Sequence, residues 1–249
     1  MPSLQTLLLA AGKGLRISRY AKGLPKPLLS IAGDPIILRN LRWLNSFAHV
    51  QSVWINLHYQ AALMEKKIKN FSRQLPNLTI NFIYEKKILG TAGALINIAP
   101  ILSRDDLLLV VYSDNLFNFD LDEFVSFHYK KKNLATIALF DDRKNIHTGI
   151  AGGRVSLDNQ LRITGFFEKS PNAGLHHINA GAYLFTPEIL SHITPQKFCD
   201  FGRDIFPKML LENAPLNGYI INGYCLGLDT EECFNNANDI ITQGKITLL

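Results

Sequence analysis

Two short segments near the start of the chain, Gly12-Lys13-Gly14-Leu15-Arg16 and Pro25-Lys26-Pro27, carry residue types suited to phosphate chemistry. Glycines let backbone N–H groups come close to a phosphate, and the Arg16 guanidinium is a planar fork that matches phosphate oxygens. Prolines on both sides of Lys26 restrict the backbone, so its ammonium is aimed. Position 17 is isoleucine, so GxGxxG is not met, and Gly-Lys-[Ser/Thr] of the P-loop is absent too. Further along, Asp114 follows the apolar run 107–111. One carboxylate at a strand end, together with waters and substrate phosphates, is enough to begin a Mg²⁺ site. Taken singly, these features also read as a tight turn, a rigid surface turn and a turn-forming aspartate.

Such residues need strands to carry them. Residues 4–11, LQTLLLAA, form a short, largely apolar run that ends at the glycines, which predicts a buried strand opening into a loop. Asp34 as N-cap and Pro35 at the first helical position predict a helix bearing Ile36, Ile37, Leu41 and Leu44. Strands are expected at 50–56, 78–84 and 107–112, with helices at 61–71 and 91–99 between them. That alternation predicts right-handed crossovers, with ligands at the carboxyl ends of the strands. After residue 134 the pattern turns to strands at 134–140, 149–156, 161–167 and 178–185, with Asp158-Asn159 turning the middle pair into a hairpin. A short helix opened by Pro187, helices at 204–212 and 231–241 and a strand at 216–221 complete the chain. The expected fold is α/β, with a Rossmann-like mixed, mostly parallel sheet, helices on both faces and a small antiparallel extension on the substrate side.

Composition narrows the classes. Of 249 residues, 47% are hydrophobic and 19% charged, which excludes disorder, collagen and coiled coil. The net charge of +5 suits a locally basic pocket for a phosphorylated small molecule at least as well as a nucleic-acid surface. Lys130-Lys131-Lys132 follows Phe124, Phe127 and His128 at helical spacing, and predicts the solvated end of an amphipathic helix. Cys199, Cys225 and Cys233 include no CxxC pair, the usage of a reducing compartment. Residues 1–11 lack the design of a signal peptide, and no stretch approaches the roughly 18 apolar residues of a membrane helix. A soluble, cytoplasmic protein with neither nucleic-acid nor membrane partners is expected.

AAGKGLR and PKPLLSIAGDPII, with ten residues between Gly14 and Pro25, resemble the signature of the sugar-1-phosphate nucleotidylyltransferases, including short mannose- and heptose-1-phosphate guanylyltransferase-like members. Glu85 with the loop 89–95, LGTAGAL, is similar to their second loop, and VYSDNLFNFDL at 111–121 to their strand-end aspartate motif. Phe167-Glu168-Lys169, Ile178-Asn179-Ala180-Gly181 and Ala237-Asn238 resemble three further elements of that family, in order. The resemblance covers essentially the whole chain. It implies one domain over 1–249, with 1–133 as nucleotide-binding half and 134–249 as sugar-phosphate-binding half, and no appended acyltransferase repeats.

The implied reaction joins a nucleoside triphosphate, GTP by preference, to a sugar 1-phosphate with Mg²⁺, releasing pyrophosphate. The nucleophile is already a phosphate oxyanion, so positioning and charge neutralisation dominate and no general base is required. By resemblance, Arg16, Lys26, Asp114 and Lys169 form the catalytic set, and Ala11, Gly12, Gly14 and Gly90 lie against the nucleotide. Glu168, Lys169, Asn179 and Gly181 take the sugar phosphate. Asp114 holds the metal. The chain departs from the family at a second metal carboxylate: Asp-Ile-Gly-Thr is here Gly227-Leu228-Asp229-Thr230. In an extended segment a two-residue shift moves a side chain by about 6.6 Å along the same face. A bend at Gly227 could restore the reach, and Asp229 is expected to substitute as a metal ligand. Ser113, Ser170 and Arg19-Tyr20-Ala21 are smaller departures. A cytidylyltransferase acting on a phosphate such as phosphocholine, and a catalytically weak nucleotide-sugar binder, are the alternatives.

Overall fold

The computed structural model describes residues 3–149, 152–168 and 174–248. Its strands are β1 (Leu4–Leu9), β2 (Ser30–Ile31), β3 (Asp34–Pro35), β4 (Ser52–Leu57), β5 (Thr79–Tyr84), β6 (Leu107–Tyr112), β7 (Asn115–Asn118), β8 (Ala135–Asp141), β9 (Arg154–Leu157), β10 (Ile163–Phe167), β11 (His177–Phe185), β12 (Leu216–Ile220) and β13 (Tyr224–Gly227). The main sheet runs β10-β9-β11-β6-β1-β4-β5, and β8 pairs with β11 on one side and β12 on the other. Strands β6, β1, β4 and β5 are parallel, and β11 enters antiparallel beside β6.

Register decides where the loops emerge. Leu9 pairs with both Asn56 and Tyr112, and Asn56 pairs with Ile83, so the carboxyl ends of β1, β4, β5 and β6 finish along one edge. The glycine loop, Glu85 and Asp114 all leave the sheet there.

Apolar runs form these strands because both faces are covered, and side chains alternate between two cores. Leu8, Leu109 and Val111 point to one core, with Leu41 and Leu44 of helix Ile36–Asn45, Met64 and Ile68 of helix Ala61–Phe71, and Phe124 of helix Leu121–Lys131. Leu7, Leu108 and Val110 point to the other, against Ile189, Phe201 and Phe206. A third cluster packs Phe234 and Ala237 of helix Glu231–Thr242 on Leu226, Leu228, Leu116 and Ile17. That cluster ties the end of the chain to the loop after β1.

Three local expectations are corrected. Asp34 does not cap a helix; Asp34-Pro35 pairs with β2, and Asp34 instead meets Arg42 at 2.6 Å and Arg39 at 3.4 Å. The helix expected at 91–99 is broken into turns Gly90–Gly93, Ala94–Asn97 and Ala99–Ile101, because two glycines and Pro100 disfavour continuous helix. The segment expected at 204–212 begins earlier, as a wide turn Phe201–Ile205 capped by Asp200, and continues as helix Phe206–Leu211. The antiparallel ribbon β7–β13 had no clear sequence signal. The hairpin β9–β10 turns at Asp158 as expected, and Lys130–Lys132 does end a helix, closed by Lys132 in the left-handed region. Cys199, Cys225 and Cys233 are free and buried. Among the described residues no helix is long and apolar enough to cross a membrane.

His128 is buried on helix Leu121–Lys131, its Nδ1 2.8 Å from Thr136 Oγ1 on β8, and burial lowers its pKa to about 4. The folded state thus resists a proton that the unfolded chain accepts near pH 6.5. The resulting stability is complete above that pH and is lost as pH falls from 6.5 towards 4. Urea unfolding at pH 7.5 and 4.5 should show the native protein losing about 2–3 kcal/mol more than His128→Gln between the two values.

Candidate active site

Short turns set the glycine loop. Gly14 has φ +58, and a Cβ there would lie 2.9 Å from the Lys26 Cβ, so the loop closes directly over the lysine. Lys26 itself begins the turn Lys26–Leu28, with Leu28 N–H bonded to Pro25 O at 2.9 Å. Pro25 caps that turn and Pro27 lies within it, so the prolines flank Lys26 as the sequence predicts, and its side chain points inward: Lys26 is only 5% exposed.

The buried ammonium is held by two carboxylates. Lys26 Nζ lies 2.9 Å from Asp114 Oδ2 and 2.5 Å from Asp229 Oδ1, and Arg16 Nη2 lies 3.1 Å from Asp229 Oδ2. Burial works against the lysine charge, but Asp114 and Asp229 outweigh it and raise the Lys26 pKa above the ordinary value. Burial likewise works against the Asp229 charge, and Lys26 and then Arg16 outweigh it, holding Asp229 below the usual carboxylate range.

Asp229 arrives by the β7–β13 ribbon. Gly227 pairs with Asn115, the Leu228 N–H reaches Asp114 O at 3.3 Å, and the chain bends at Asp229 and Thr230. The expected bend at Gly227 is not found. That glycine is in the strand, and the turn comes two residues later, at the aspartate itself. Asp114 is steadied from below, where Ser113 Oγ donates to Leu9 O at 2.6 Å and Asn40 Nδ2 to Ser113 O at 3.1 Å.

A cleft of about 1390 Å³ runs along the strand ends. Ala11, Gly12, Gly14, Arg16, Lys26, Gly90, Asp114 and Asp229 line it, and so do Glu168, Asn179 and Gly181 from the other half. Lys169 lies outside the described residues. Gly90 packs on the Cys199 carbonyl, which accepts from Ala92 N–H at 3.0 Å and Gly93 N–H at 3.1 Å. Glu168 is seated against Gly202 and Gly153.

Sequence reasoning missed several lining residues, and it had given Glu85 no role beyond its place in the second loop. Arg154 and Arg203 enter from the second half, and the Arg154 Nη1 donates to Asp142 at 3.0 Å and to Leu175 O. Buried Glu85 accepts from Asn56 Nδ2 at 2.9 Å, Asn97 Nδ2 at 3.4 Å and Leu89 N–H at 3.4 Å, while Asn56 Oδ1 accepts from Ala10 N–H at 2.7 Å. An isolated Glu or Asn at a strand end carries no spacing signal. Nor is the described lining a basic bowl: Lys13, Arg16, Lys26, Arg154 and Arg203 are matched in number by Glu85, Asp114, Glu168, Asp200 and Asp229. Asp114 and Asp229 hold two of these cations, Lys26 and Arg16, in place.

Comparison with known proteins gives this constellation a family. Residues 5–229 match the Nucleotidyl transferase family. The chain belongs to that family. Mannose-1-phosphate guanylyltransferase of Mycobacterium tuberculosis is 28% identical over 239 residues, covering 96% of this chain and 64% of that protein. The catalytic subunit beta of the Drosophila melanogaster mannose-1-phosphate guanylyltransferase is 31% identical over 206 residues, covering 82% and 54%. The chain therefore spans about half to two thirds of these relatives' length. HddC from Yersinia pseudotuberculosis, solved in complex with GMP-PN, shares the fold with a TM-score of 0.76 at 23% identity, covering 95% of this chain and 99% of that one.

The nucleotidyl transferase match ends at Asp229, the carboxylate that meets Lys26. Replacing Lys26 by Met leaves Asp114 and Asp229 facing each other without the cation. Urea unfolding of Lys26→Met should show a loss of about 3 kcal/mol at pH 7, shrinking below about pH 4, where the native protein itself loses the contribution of Asp229.

Proposed function

We propose that the chain transfers GMP from GTP to a sugar 1-phosphate, releasing pyrophosphate. The observation that carries this is the convergence of Arg16, Lys26, Asp114 and Asp229 at one end of a cleft whose other wall holds Glu168 and Asn179. Cations of fixed position suit two polyanions brought together in line, and the names of the guanylyltransferase relatives agree with it. Arg16 would hold the departing phosphates and Lys26 the reacting one. Ala11, Gly12, Gly14 and Gly90 would face the nucleotide through backbone. Residues 1–133 would form the nucleotide half and 134–249 the sugar-phosphate half of a single domain, with Lys169 and Gly181 completing the second.

Glu85 supports guanine. Its carboxylate only accepts hydrogen bonds, is buried at the cleft wall, and retains accepting capacity beyond its amide partners. Guanine presents adjacent N–H donors on its pairing edge, whereas a carboxylate facing uracil would meet carbonyls on both sides of one donor.

The donor set fits Mg²⁺. Two carboxylate oxygens converge on one cation position, now taken by the lysine ammonium, and a hard divalent ion needs little more than that plus phosphates and waters. Asp114 and Asp229 would hold the ion, which when bound supplies neutralisation of phosphate charge. A cytoplasmic location fits substrates of this kind and three cysteines that are free.

Four triphosphates tested against a panel of sugar 1-phosphates with Mg²⁺, read as pyrophosphate, should show GTP preferred. Glu85→Gln should lower kcat/KM for GTP about 10- to 100-fold. Preference of the native protein for CTP or UTP would contradict the reading. Asp229→Ala should lose at least about 100-fold in kcat; unchanged turnover and Mg²⁺ dependence, with Asp114→Ala inactive, would show that Asp229 is no metal ligand.

A further inference from the structure

Phe198 lines the cleft and is 60% exposed. Two other phenylalanines of the same stretch, Phe201 and Phe206, are buried and share an aromatic cluster with Tyr183 and Phe185. Among the described residues Phe198 pairs with none of these rings. A ring left in water forgoes the gain of burial that its neighbours take. A single exposed apolar side chain is ordinary on a surface, so the argument turns on how this one is held.

The backbone on both sides of Phe198 is pinned to the loop 89–93. Cys199 N–H donates to Leu89 O at 2.8 Å, and Cys199 O accepts from Ala92 N–H at 3.0 Å and Gly93 N–H at 3.1 Å. Gly90, with φ +84, leaves no room for a Cβ against the Cys199 carbonyl, and a Cβ on Gly93 would lie 3.4 Å from Lys197 O. Thr91 Oγ1 donates to Asp200 Oδ2 at 2.8 Å and accepts from Phe201 N–H at 3.0 Å. Residues 197–201 therefore lie flush on that loop, and the ring cannot withdraw into the core without breaking these bonds.

The same loop holds Glu85. Leu89 N–H donates to Glu85 Oε2 at 3.4 Å while Leu89 O accepts from Cys199. One peptide residue thus fixes the ring of Phe198 relative to the carboxylate assigned to the guanine edge. Hydrogen bonds to an edge act in the plane of a base and leave its two faces in water. An aromatic ring supplies the perpendicular contact, and it does so for any base, because every base has a π-face.

We propose that Phe198 is a further nucleotide-binding residue: its ring stacks on the face of the base whose edge Glu85 reads. This rests on the GTP reading above. The two residues divide the work, Phe198 supplying affinity without discrimination and Glu85 supplying the choice of base.

Titration calorimetry of GTP and ITP with Mg²⁺, without sugar phosphate, tests it. ITP keeps the face of the base and lacks the 2-amino group on its edge. Phe198→Ala should raise Kd for both by about fivefold or more, by factors within about twofold of each other, with KM for the preferred sugar 1-phosphate within about twofold of native. A loosened loop acting through Glu85 would instead weaken GTP more than ITP. In Phe198→Trp, GTP should bind within about twofold of native and quench the added tryptophan emission above the background of Trp43 and Trp54. Unchanged Kd for GTP in Phe198→Ala, a loss confined to the sugar 1-phosphate or to GTP over ITP, or no quenching in Phe198→Trp would overturn the proposal. Stacking does not depend on which base is bound, so the two readings fail separately. If the native protein prefers CTP or UTP, the guanine reading falls, and the same variants with that triphosphate decide Phe198.

Discussion

The ammonium of Lys26 between Asp114 and Asp229 is the interaction on which the rest of the site depends. A lysine 5% exposed is costly unless it is paired, and here it is paired twice. Its partners come from segments far apart in the chain: Asp114 from the end of β6, Asp229 from beyond β13. Meeting that lysine therefore requires β1 and β6 to end together, the β7–β13 ribbon to fold back beside them, and helix Glu231–Thr242 to hold the ribbon down. An ion pair of this kind specifies position more than it adds stability. It keeps two carboxylates close, and it keeps a cation where phosphates are expected.

The glycine loop follows from the same constraint. Position 14 calls for glycine because its backbone is left-handed and a Cβ there would lie 2.9 Å from the Lys26 Cβ, so the loop and the lysine are built as one unit. Ser113, which departs from the usual glycine before the aspartate, ties the end of β6 to Leu9 and leaves Asp114 free to project. On the opposite wall, a bulge in β11 presents Asn179 from a bed of rings rather than from a loop. Each half of the cleft is rigid because its polar groups stand on packed aliphatic or aromatic layers.

Features with strong local signals were legible in the sequence. Largely apolar runs marked β1 and β6, the period of Ala61–Phe71 marked its helix to the residue, and the proline pair marked the aim of Lys26. What was not legible depended on distant partners. Asp34-Pro35 has the residue types of a helix start, but a neighbouring two-residue strand claims it. Glycines in 90–93 satisfy a loop that packs on Cys199, which no local pattern reports. The position of Asp229 was expected from a bend at Gly227, yet the reach comes from a bend at the aspartate itself. Arg154 was missed, and Glu85 was marked only by the resemblance and given no role, because a single charged residue acquires a role only through what folding places beside it.

The central claim is that Asp229, two residues beyond the usual position, works with Asp114 at one cation site. The most direct test is to locate Mn²⁺ by its anomalous scattering in crystals grown with a non-hydrolysable GTP analogue. The account predicts one ion coordinated by both carboxylates, with Lys26 turned towards the phosphates. An ion bound by Asp114 alone, with Asp229 still paired to Lys26 and Arg16, would contradict it.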